Sequence, residues 1–93
     1  MGNYLKGSVA EMKKVKVTIT LRESVLDPQG QAVSGAIERL GFGGVKNVRI
    51  GKLIELDVED HVTELEIKEM CEKLLANTVI EDYRYEVEEG VVQ

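Results

Sequence analysis

Side chains alternate across a β-strand, and the stretch from Asn47 to Glu59 keeps that alternation through a glycine that would ordinarily interrupt it. Gly51-Lys52 first suggests a two-residue hairpin turn. In such a hairpin Ile50 would pair with Leu53 and Val48 with Glu55, mixing core-facing with water-facing residues. Read straight through, Val48, Ile50, Ile54, Leu56 and Val58 share one face, while Arg49, Glu55 and Asp57 share the other. That parity needs either an odd-length turn or one long strand bent at Gly51, and the sequence alone leaves both open. A strand that outruns its own small sheet has to find its pairing in a second chain.

The rest of the chain leaves little room for a large sheet. Its 93 residues make one small domain. A domain of this size buries roughly 60–70% of its unfolded surface, so association with another copy would add stability. Residues 1–11 lack a clear period, and a second methionine, Met12, follows them; they read as an extension outside the fold, with residues 12–93 forming the domain.

Val15, Val17, Ile19 and Leu21 alternate with Lys14, Lys16, Thr18, Thr20 and Arg22, which predicts a half-buried strand over residues 13–22. Asp27-Pro28 then starts a helix, because Asp accepts from first-turn amides and Pro suits the first helical position. Val33, Ala36, Ile37 and Leu40 supply its apolar stripe, Gly41 a left-handed stop, and Phe42 a residue to fold back on the last turn. Gly30 and Gly35 each weaken this helix by about 1 kcal/mol relative to Ala, so close approach of a neighbouring backbone is expected there.

Thr63-Glu64-Leu65-Glu66 is a capping box, with Val62 and Ile67 placed for a hydrophobic staple. Ile67, Met70, Cys71, Leu74 and Leu75 form the predicted buried stripe of this second helix, with Glu64–Lys68 and Glu69–Lys73 on its wet side and Asn77 as a left-handed terminator. Tyr83, Tyr85 and Val87 mark a last strand, and Glu88–Gln93 read as a frayed tail. The order β-α-β(-β)-α-β predicts an α+β, ferredoxin-like domain with two helices on one face of an antiparallel sheet.

No catalytic constellation emerges. The 17 Asp plus Glu against 12 Lys plus Arg, and only four aromatics, argue against nucleic acid as a partner. His61, the only histidine, rules out a two-histidine metal site and reads as an exposed linker residue. Cys71 excludes an internal disulfide and lies on an apolar stripe, where core packing is expected instead of a reactive thiolate. The carboxylates around residues 55–60 and 81–89 read as solvated strand faces, and Gly41-Phe42-Gly43-Gly44 follows a helix where a phosphate cradle would precede one. With no signal peptide and no long apolar run, a cytoplasmic location without membrane contact is expected.

One polar cluster exceeds what a scaffold needs. Ser24 to Gln31 forms a conformationally restricted strand-to-helix corner, and Asn47, Arg49 and Lys52 add polar and basic groups nearby. Asp27, Pro28, Gln29, Gly30, Arg49 and Lys52 are therefore the candidate partner-binding residues, weighed against a purely structural turn.

Three stretches resemble the PurS family, the PurS subunit of bacterial phosphoribosylformylglycinamidine (FGAM) synthase: Leu21-Arg22-Glu23-Ser24-Val25-Leu26-Asp27-Pro28-Gln29-Gly30, Val48-Arg49-Ile50-Gly51-Lys52, and the run from Met70 to Tyr83. The resemblance implies a subunit without catalytic residues, metal or cofactor of its own. It would bridge the glutaminase PurQ and the synthetase PurL and help ammonia pass between them. The partner synthetase would use ATP and Mg to convert FGAR to FGAM in purine synthesis. It further implies a homodimer, and potentially a tetramer, with part of the fold shared between chains. Two other readings compete: a ferredoxin-like small-molecule sensor and oligomerisation domain, and an acylphosphatase-like enzyme for which Arg22 lacks the glycine-rich cradle.

Overall fold

A computed structural model describes residues 11–92. Three strands, β1 (Glu11–Leu21), β2 (Gly51–Glu59) and β3 (Glu81–Val92), form one sheet in the order β2-β1-β3. The central β1 is antiparallel to both neighbours, so β2 and β3 run parallel to each other. Helix α1 (Pro28–Arg39) links β1 to β2; α2 (Glu64–Met70) continues through a π-helical turn over Cys71–Leu75 and carries the chain across to β3.

Alternation in β1 puts Val15, Val17 and Ile19 on one face, all fully buried. They pair with Leu56 and Ile54 on one side and with Val87, Tyr85 and Tyr83 on the other. Ile67, Cys71 and Ala76 close this face from the α2 side. Each buried aliphatic side chain contributes roughly 1.5–3 kcal/mol, so this strip is the stabilising centre of the chain. The opposite face is polar and carries ion pairs such as Lys14–Asp57 at 3.1 Å and Lys16–Glu88 at 3.6 Å.

The second helix starts as its sequence predicts. Thr63 Oγ1 accepts from the Glu66 amide at 3.1 Å, and Glu66 Oε1 accepts from the Thr63 amide at 3.0 Å. Its far end departs from expectation. The π-helical turn inserts an extra residue per turn, which rotates Leu74 into solvent and brings Leu75 and Ala76 inward. Asn77 is not left-handed; its backbone carbonyl instead accepts from Ile80 and Glu81 in a turn that leads into β3.

Two further expectations change. β3 does not fray after Val87: it pairs with β1 as far as Val92 opposite Glu11, accommodating a register shift near Met12–Lys14. Gln93 and residues 1–10, the latter nearly all of the assigned extension, lie outside the described residues. The Asn47–Glu59 stretch is neither a hairpin nor one long strand. Residues 45–50 make no ladder pairs, Asn47 takes φ 59°, and β2 begins at Gly51. The parity survives within β2, where Ile54, Leu56 and Val58 pack against the core.

Helix α1 stands off the sheet. It ends at Gly41, φ 91°, with the amides of Gly41 and Phe42 returning to the carbonyls of Glu38 and Ile37. Its apolar stripe meets solvent: Leu40 is 74% exposed and Val33 39%, and the Phe42 ring lies open beyond them. The radius of gyration is 18.6 Å, against about 12 Å for a compact domain of this length. The chain is elongated, and among the described residues a helix made for packing joins no hydrophobic core.

Candidate functional site

The polar corner singled out in the sequence is one place in the structure. It joins the end of β1, the start of α1 and the segment that leads into β2. Asp27, the N-cap of α1, is buried, and its carboxylate serves two segments: Oδ1 accepts from the Gly30 amide at 2.9 Å and Oδ2 from the Ile50 amide at 2.8 Å. The Ile50 amide, followed by that of Gly30, holds the Asp27 carboxyl below its ordinary value. Pro28 occupies the first helical turn, where its missing donor costs nothing.

Gly30 is buried because the lead-in to β2 crosses directly over it: a Cβ there would stand 2.3 Å from the Val48 carbonyl oxygen. The close approach expected of this glycine is real; Gly35 has only the end of the Arg39 side chain near it. Arg49 binds the same crossing from outside. Its Nη2 donates to the carbonyls of Leu21, Arg22 and Val25 at 3.2, 3.0 and 3.4 Å. Lys52 Nζ lies 3.7 Å from Glu81 Oε2, across the end of the sheet. Gln29 is exposed.

All six predicted residues therefore gather at one corner, but in two roles. Asp27, Gly30 and Arg49 are engaged with the chain's own backbone, and Pro28 shapes the helix start. Gln29 and Lys52 face outward, beside a hollow of about 320 Å³ that Ile50 and Glu81 also line. A second, open depression of about 430 Å³ is lined by Glu23, Ser24, Gln31, Ser34, Asn47 and Arg49. Glu23 and Ser34 are not among the residues the sequence singles out as a site; Glu81, expected on a solvated strand face, is instead largely covered beside Lys52, a placement visible only once the strand register is known.

The other chemistry-bearing residues are occupied elsewhere. Burial pushes the Cys71 thiol up, in keeping with a core position. His61 is exposed, its Nε2 2.8 Å from Glu59 Oε1. Arg22 binds the Thr78 carbonyl and lies 3.7 Å from Asp82. No group of three or more His, Cys, Asp or Glu side chains among the described residues is placed to hold a metal ion. No helix of the described residues is long and apolar enough to cross a membrane.

Comparison with known proteins is consistent over nearly the whole described chain. The family model for PurS, phosphoribosylformylglycinamidine (FGAM) synthase, matches residues 14–89. The PurS subunit of this synthase from Bacillus subtilis (strain 168) is 61% identical over 84 residues, covering 88% of this chain and 100% of that protein. A crystal structure of B. subtilis PurS superposes with a TM-score of 0.76 at 61% identity, over 83% of this chain and 99% of that one. A chain in the structure of PurLQS from Thermotoga maritima superposes with a TM-score of 0.72 at 33% identity, over 83% of this chain and 98% of that one.

Proposed function

Since this chain belongs to the PurS family of FGAM synthase subunits, we propose that it serves as the non-catalytic connector of that enzyme, acting as a homodimer that bridges PurL and PurQ. PurQ releases ammonia from glutamine, PurL uses ATP and Mg to make FGAM from FGAR, and this chain holds the two in register for ammonia transfer in the cytoplasm. The likeness to a chain of T. maritima PurLQS supports those two partners.

The observation that carries the reading is α1. A 12-residue helix with an apolar stripe that lies off its own sheet, in a chain half again as extended as a compact domain, is an element waiting for a neighbour. A second copy covers it most simply, because self-association presents the same surface on both chains. The outward-facing Gln29 and Lys52, with the depression beside Ser24 and Asn47, are then the polar surface left for PurL or PurQ.

The test is reconstitution. Purified PurL and PurQ are assayed for FGAM formation with glutamine or with ammonium as nitrogen donor, with and without this chain. The chain alone is expected to be inert; added to its partners, it is expected to restore glutamine-dependent turnover and change ammonium-dependent turnover far less. Equal glutamine-dependent turnover in its absence would defeat the proposal.

A further inference from the structure

Gly30, Asp27 and Arg49 meet where the lead-in to β2 crosses the first turn of α1. Among the described residues, no side chain of α1 belongs to the buried core cluster or packs against it, so its direction is not fixed by a hydrophobic face there. What holds it is at its first turn. Asp27 binds the Ile50 amide, the Gly30 backbone lies against the Val48 carbonyl, and Arg49 gathers the carbonyls of Leu21, Arg22 and Val25. We infer that this three-residue clamp sets the angle at which α1 leaves the sheet, and that Arg49 is a positioning residue for assembly with no need to touch a partner itself.

The physical case is one of leverage. A helix of 12 residues is about 18 Å long, so a small rotation at its first turn moves its tip by several ångströms. The exposed residues Leu40 and Phe42 lie at that tip. A planar guanidinium reaching the carbonyls of Leu21 at the end of β1 and of Arg22 and Val25 in the loop that follows, one residue beyond the Val48 carbonyl that closes on Gly30, restrains such rotation from the outside while Asp27 restrains it from within. The inference rests on the connector reading above only for its consequence in the complex; the clamp itself is a property of this chain.

Electron–electron distance measurements on the full-length chain test it. One spin label replaces Glu38 on α1 and another Glu86 on β3, both exposed, with excess unlabelled chain added so that only distances within one chain are read. A second pair, Lys68→Cys on α2 with Glu86→Cys, serves as the internal standard; buried Cys71 stays unlabelled. Arg49→Ala and Gly30→Ala are expected to shift or widen the α1–β3 distribution while the α2–β3 distribution stays put. In the reconstituted complex they should reduce glutamine-dependent turnover and spare ammonium-dependent turnover. If Arg49→Ala folds with an α1–β3 distance like that of the unsubstituted chain, the clamp does not set the angle and the inference fails. The connector reading fails separately, when the unsubstituted chain gives its partners no glutamine-dependent turnover.

Discussion

Asp27 Oδ2 accepts the amide of Ile50 at 2.8 Å, so one buried carboxylate both caps α1 and fastens the segment leading into β2. Replacing Asp27 with Ala leaves two amides without their acceptor. The expected result is a melting temperature lower by roughly 5–10 °C, since losing a cap and a bridging acceptor together exceeds an ordinary surface change. Differential scanning calorimetry checks it, and a shift of a degree or less would show that water replaces the carboxylate freely.

The same carboxylate gives a pH signature. Its folded-state pKa is depressed below the ordinary 3.8, so the stability it contributes is present above that value and is lost as pH falls through the folded pKa. Asp27→Asn should therefore flatten the acid limb of the stability curve and leave its neutral and alkaline limbs parallel to those of the unsubstituted chain. Denaturant midpoints measured from pH 6 down to about pH 2 decide the point.

Two glycines of one helix should answer the same substitution with opposite signs. At Gly35 a Cβ lies 3.4 Å from the flexible end of Arg39, and Gly35→Ala should stabilise by about 0.5–1 kcal/mol through helix propensity. At Gly30 it lies 2.3 Å from the Val48 carbonyl oxygen, and backbone displacement there should outweigh the same gain, for a net loss of about 1–3 kcal/mol. Urea titrations of both variants give the comparison directly.

Tyr83 donates its hydroxyl to Glu72 Oε2 at 2.8 Å, and that hydrogen bond, with burial and the nearby charge, pushes the phenol up to about 12. Because the folded value lies above the unfolded one, the associated stability is intact below about pH 10 and disappears between about pH 10 and the folded value. Glu72→Gln should lower the phenol's pKa. Absorbance titration at the phenolate band reads it, and an unchanged midpoint would mean that the Glu72 contact is not maintained in solution.

Local rules carried much of this fold into view. The capping box needs only Thr63 and Glu66, three residues apart, and the start of α1 needs only Asp27-Pro28. The alternation of Val15, Val17 and Ile19 named the core directly. What stayed hidden depends on distance or on a slip of register. Asp27 and Ile50 are separated by 23 positions, and Arg49 and Leu21 by 28, so nothing local distinguishes these anchors from free docking groups. Leu74 fits an α-helical stripe, and only the π-helical turn that follows Met70 turns it outward. The continuation of β3 to Val92 is set by a free edge of β1 that residues 88–92 themselves do not advertise.

Helix α1 offers the clearest contrast between a solitary chain and an assembled one. Leu40 is 74% exposed, and in a monomer Leu40→Lys should alter stability by no more than about 0.5 kcal/mol. If a second copy covers the stripe, the same substitution places an ammonium in an apolar interface. It should then weaken self-association at least about tenfold, corresponding to roughly 1.4 kcal/mol. Sedimentation velocity across micromolar concentrations separates the cases. The unsubstituted chain is expected to sediment as a dimer or larger, and Leu40→Lys, alone or with Val33→Asp, as a mixture with monomer. A solitary unsubstituted chain would leave α1 bare in solution and remove the physical reason for the dimer. Dissociation by Leu40→Lys with the fold intact would show that the stripe holds the copies together, because the substitution leaves the buried strip of Val15, Val17 and Ile19 untouched.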